Sequence, residues 1–136
     1  MTASVATDPD RLVFDVQRDP AAAIRKATAL LADRPSPRDR VVAHWTIGMA
    51  HRERGDLLAA RADLERAWMM AVELEDDVLA GRIAITLSLV VAYQGELDNA
   101  LAILDVTEPG LRDGVHGRLR TQRGVIFYQQ GEFGLA

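Results

Sequence analysis

The sequence reads as an all-α chain built from antiparallel helix hairpins, and three observations carry that reading. A four-residue stretch occurs three times: Arg54-Gly55-Asp56-Leu57, Gln94-Gly95-Glu96-Leu97 and Gln130-Gly131-Glu132-Phe133. Small residues precede each glycine by seven positions, at Gly48, Ser88 and Gly124. Alanines follow each glycine by five positions, at Ala60, Ala100 and Ala136. A glycine takes positive φ without strain and so ends a helix cleanly. The acid after it can accept bonds from the free N–H groups of the next helix. Small residues at fixed points on both helices let two backbones approach closely. The turn glycines stand 40 and then 36 residues apart, a period that signals repeats.

Each element follows from its caps. Residues 1–8 carry no apolar pattern and are expected to be disordered. Asp8-Pro9 opens a short helix to roughly Gln17, and Asp19-Pro20 opens a second that ends before Pro35. Ser36-Pro37 caps a long helix through Arg54. Asp56 opens the next, through about Leu74. The acidic run Glu73, Glu75, Asp76, Asp77 is unfavourable at a helix C-terminus and favourable at an N-terminus, so a break is expected near Glu75. The helix that starts there reaches Gln94. A shorter helix is expected from Leu97 to about Val106, broken by Thr107-Glu108-Pro109-Gly110. A seventh helix is expected from roughly Leu111 to Gln130.

The register of the three copies, with bulky residues at His51, Val91 and Phe127, resembles the tetratricopeptide (TPR) repeat, whose pattern is a small residue in the first helix, an aromatic three further on, a Gly-acid turn, then spaced alanines. The resemblance implies a right-handed superhelical array, a TPR-like α-solenoid of about three and a half repeats. It assigns 9–35 to a degenerate repeat, 37–75 and 76–108 to two repeats, and 110–136 to an incomplete one, all in a single domain. Both periods exceed the usual ~34 residues of that family. Arg123 stands at a usually apolar position. Longer helices of this kind are similar to TPR arrays of large bacterial regulatory proteins. The stretch from Asp39 to Ala136, with Leu104-Asp105 and Gly117-Arg118-Leu119-Arg120-Thr121-Gln122-Arg123-Gly124, resembles the N-terminal TPR region of actinobacterial CHAT-domain proteins. In that family a caspase-like protease with a His/Cys pair follows the repeats. The present chain has no cysteine and would supply only the recognition part.

Composition narrows the function. The apolar fraction is 49%, enough for a packed core. The net charge is -4, which argues against sequence-neutral nucleic-acid binding. Without cysteine there are no disulfides, thiolate metal sites or cysteine nucleophiles. Met1 to Arg11 has no apolar core of a signal peptide, and no apolar run approaches membrane-spanning length, so a cytoplasmic location is the default expectation.

No catalytic, cofactor or metal signature is visible. His44 and His51 lie two helical turns apart on one face, without a third ligand at metal spacing. His51 takes a bulky packing position and reads as a half-buried structural residue. The glycines follow the repeat and form no phosphate loop. What remains is a surface. In TPR arrays the first helices line a concave groove, and the resemblance places Trp45, Met49, Arg52, Arg82, Ile85, Leu89, Arg118, Val125 and Tyr128 along it. The expected partner is a protein or peptide, bound by a scaffold module of a larger regulatory protein. The alternative is a sensing domain whose groove closes on a small ligand or peptide to control an attached effector, such as a CHAT protease or a transcription regulator. An array also needs a polar outer cap. The incomplete last repeat points to a fragment of a longer protein, or to pairing with another chain.

Overall fold

The computed structural model describes residues 9–112, and those residues form six α-helices joined by short turns. They are α1 (Pro9–Arg18), α2 (Pro20–Ala32), α3 (Pro37–Glu53), α4 (Leu57–Glu73), α5 (Asp77–Tyr93) and α6 (Leu97–Arg112). Among the described residues there is no strand. The seventh expected helix lies outside them, apart from Leu111 and Arg112, which belong to α6. The chain divides into two compact units, with the boundary inside α4 between Ala67 and Trp68.

The caps form where polar residues precede the helices. Asp19 accepts a bond from the Ala22 N–H at 3.1 Å, and Pro20 occupies the first turn, where its missing N–H costs nothing. Ser36 Oγ accepts from the Asp39 N–H at 3.1 Å, again with proline next in sequence. Asp56 accepts from the Ala59 N–H at 3.1 Å.

The turns after α3, α4 and α5 share one backbone solution. Gly55 has φ +80° and Gly95 has φ +88°. After each, the next N–H reaches back five residues: Asp56 to the His51 carbonyl at 2.9 Å, and Glu96 to the Val91 carbonyl at 3.2 Å. This closes the helix C-terminus on otherwise unpaired carbonyls. The turn between α4 and α5 does the same without glycine. Glu75 has φ +59°, and the Asp76 N–H bonds the Ala71 carbonyl at 3.2 Å. The break expected from the acidic run is therefore present, and Asp76 caps α5 by accepting from the Leu79 N–H at 3.1 Å. The three turns stand 20 residues apart, and α3, α4 and α5 are each 17 residues long.

One boundary differs from expectation. The break at Thr107-Glu108-Pro109-Gly110 does not occur, and α6 runs on to Arg112. Proline has no N–H to bond the carbonyl four residues back and its ring crowds that carbonyl, so the helix continues through Pro109 at a cost in backbone bonding.

In the first unit α1 and α2 pack on each other and on α3. The start of α4 packs on α3 at Gly48. A Cβ there would stand 2.7 Å from Leu64 Cγ and 3.2 Å from the Ala60 carbonyl oxygen, so the small residue permits a close helix approach. The buried hydroxyl of Thr46 is satisfied by the Val42 carbonyl at 2.7 Å. In the second unit α5 and α6 pack together, with Ile83, Leu87, Val90, Val91, Ala100 and Ile103 buried.

Candidate functional site

The helical period of α5 divides its circumference sharply. One side carries Leu79, Ile83, Leu87 and Val90 and is buried. The other side holds every exposed residue of the helix, and all of them are large and apolar: Val78 (68% exposed), Ile85 (55%), Leu89 (42%) and Tyr93 (71%). Ile85, Leu89 and Tyr93 follow at intervals of four, so they form one stripe along the axis. Arg82 and Ala92, both half-buried, lie within the same arc. A soluble helix normally turns charged residues outward, so an outward face with this composition requires a reason.

The equivalent face of α3 is different. Trp45 and Met49 occupy the register of Ile85 and Leu89, but they are only 3% and 8% exposed. They are therefore not open to a partner, and Arg52 beside them is half-buried. α4 meets α3 at Gly48, roughly a quarter-turn away, and α1 and α2 pack on α3 as well. Of the nine residues expected along a groove, Ile85 and Leu89 are the apolar members that the structure leaves open. Arg118, Val125 and Tyr128 lie outside the described residues. Val78 and Tyr93 complete the stripe. Both were within reach of the sequence: Tyr93 stands one i, i+4 step beyond Leu89, and Val78 stands seven residues, two helical turns, before Ile85.

A second arrangement joins α3 to α4. The Nδ1 of His44 lies 3.4 Å from Asp63 Oδ1, and the Nε2 of His51 lies 4.0 Å from Asp63 Oδ2. Two imidazoles two turns apart on α3 thus flank one half-buried carboxylate of α4. Sequence spacing placed the two histidines on one face but could not supply Asp63, which comes from the other arm of the hairpin. Among the described residues no group of three or more His, Asp or Glu side chains is placed to hold a metal ion. The arrangement reads as a polar clasp on the hairpin.

A shallow pocket at Asp15, Arg18, Asp19, Ala22, Ala23 and Lys26 encloses about 90 Å³. Small-molecule sites usually offer ~300–1,000 Å³, so this pocket suits a few waters rather than an organic ligand. No described helix is long and apolar enough to cross a membrane. No family model, no curated protein and no solved structure matches the chain.

Proposed function

We propose that this chain is a protein-interaction module of the TPR-like solenoid type, acting as the recognition part of a cytoplasmic regulatory protein. The observation that carries the reading is the α5 stripe: all the exposed residues of a well-capped helix are apolar. A surface of that kind is retained where another polypeptide covers it. The repeated turn geometry at Gly55, Glu75 and Gly95 supports the solenoid reading, because similar turns at equal spacing are what a repeated hairpin unit produces.

The chemistry of the partner follows from α3. There the same register is occupied by Trp45 and Met49 and is buried, in a unit where helices of this chain pack on α3. A helix with an apolar face is thus the natural occupant of the α5 stripe, laid into it with anchors at i and i+4. The energy can be bounded. Fully burying a Leu or Ile side chain is worth ~1.5–3 kcal/mol, and the stripe residues are already partly covered, so four of them supply about 4–6 kcal/mol. Association costs ~4 kcal/mol or more in lost freedom. The stripe alone therefore supports a weak, reversible complex, and tighter binding draws on polar anchors such as Arg82.

The test is site-specific photocrosslinking in the full chain. A photoreactive residue at Leu89 should give one discrete protein adduct, while the same residue at the exposed position Arg66 should not. Ile85→Ser with Tyr93→Ser should abolish the adduct and leave the melting temperature within a few degrees. An adduct that survives the double substitution, or none at Leu89 under any condition, would overturn the proposal.

A further inference from the structure

The α5 stripe calls for an apolar helix face with anchors a turn apart, and α5 itself presents one. Val78, Arg82, Ile85, Leu89 and Tyr93 follow at intervals of four, three, four and four, so they keep to one arc of the helix. The arc is also nearly symmetric along the axis. Ile85 is the middle residue of the helix Asp77–Tyr93, and Val78 and Tyr93 stand seven and eight residues from it. A face whose pattern reads alike in both directions can meet a copy of itself through a two-fold axis.

On the reading that another polypeptide covers the stripe, the geometry points to a second copy of this chain as its occupant, with α5 packed antiparallel on α5. The axis passes between Ile85 and Thr86. It sets Val78 against Tyr93 and Arg82 against Leu89, and the two Ile85 side chains meet at the centre. Charge agrees with this pairing. Identical faces repel where like charges coincide. Arg82 is the one formal charge among these five residues, and its two copies stand seven residues, ~10 Å, apart along the axis. Each arginine lays its aliphatic stem along the opposing Leu89 and keeps its head at the rim. Each Tyr93 hydroxyl arrives at the start of the other α5, where the half-buried Asp77 carboxylate can accept a bond from it. The exposed leucines of α6 suit self-pairing less, because an axis beside Leu101 brings Asp98 of one copy toward Asp105 of the other. Area sets the strength. Four exposed residues on each copy fall well short of the ~20–30 a side of a standard interface, so the pair is weak and forms as concentration rises.

The chain has no cysteine, so introduced ones report the register. In the purified full chain, Ile85→Cys should give a disulfide-linked dimer under mild oxidation, because the two Cα atoms beside the axis come within bridging distance. Val78→Cys and Tyr93→Cys should each fail to link to themselves, being ~22 Å from their own copies. Both sites are more exposed than Ile85, so random collision would favour them instead. A mixture of these two variants should link one to the other. Light scattering should show the mass of the parent rising toward that of a dimer with concentration. Ile85→Glu should raise the dissociation constant by on the order of tenfold or more, with the melting temperature of the dilute protein within a few degrees of the parent.

A mass that stays that of one chain at millimolar concentration would overturn the second copy as occupant. So would Val78→Cys or Tyr93→Cys linking to itself as readily as Ile85→Cys. If the photoadduct at Leu89 then carries the mass of a foreign protein, the stripe remains a binding surface and only its self-pairing falls. If no adduct forms at Leu89 either, both readings fall.

Discussion

Gly48→Ala isolates the close approach between α3 and α4. Two effects oppose each other. In a helix interior alanine is better than glycine by ~1 kcal/mol, so an isolated helix would gain. The added Cβ, however, would lie 2.7 Å from Leu64 Cγ, 2.9 Å from Leu64 Cδ2 and 3.2 Å from the Ala60 carbonyl oxygen. Leu64 is fully buried and cannot swing into solvent, and the Ala60 oxygen moves only with the α4 backbone. Overpacking of this kind costs ~1–3 kcal/mol, and a contact this short at a branch carbon belongs near the upper end. The net expectation is a loss of about 1–2 kcal/mol, seen as a lower urea midpoint and a fall of several degrees in Tm. The control is a double-mutant cycle with Leu64→Ala. That change alone should cost ~2–5 kcal/mol by leaving a cavity. Adding Gly48→Ala in its background should be neutral or stabilising, because the methyl then enters empty space. A single Gly48→Ala variant as stable as the parent would refute the close approach, and an unchanged penalty in the Leu64→Ala background would refute its cause.

Further substitutions probe the remaining elements. Ala60→Leu and Ala100→Leu should each cost ~1–3 kcal/mol by the same overpacking, read from urea midpoints. Glu75→Gly should stabilise by about 0.5–1 kcal/mol, because a left-handed φ strains any residue with a Cβ, and a thermal melt reads the sign. Asp76→Ala should cost ~0.5–2 kcal/mol by removing the cap of α5. Trp45→Ala should lower stability by ~3–5 kcal/mol, in contrast to Leu89→Ser, which should change it by less than ~1 kcal/mol.

Much of this architecture was legible because turns and caps are local. Gly55 and Gly95 announce positive φ, and Asp19, Ser36 and Asp56 sit where a first turn needs an acceptor. Glu75 carries no glycine signal. Its turn was found through charge, since four acids around one point cannot all favour a C-terminus. The end of α6 was misread for the converse reason: Pro109 and Gly110 are local breakers, and the helix nevertheless continues to Arg112. Asp63 was not legible as the partner of His44 and His51, because nothing in the spacing of α3 says which residue of α4 will face it.

The candidate site shows the limit of periodicity more clearly. Trp45 and Met49 match Ile85 and Leu89 in register and in chemical class. A helical pattern says that these pairs share a face, but it cannot say whether that face is covered. Coverage depends on what else packs nearby. On α3, α1 and α2 pack against the helix, and their short apolar stretches gave little sign of where they would dock. Residue type gave a misleading cue as well. Tryptophan is often a binding hot spot, but its large apolar area also makes it the most rewarding side chain to bury within the chain. The choice between seam and site therefore rests on comparison between copies. Where the register repeats and burial repeats, as at Ala60 and Ala100, the position is structural. Where the register repeats and burial does not, as at Met49 and Leu89, the open copy is the position at which the proposed partner contact is to be tested.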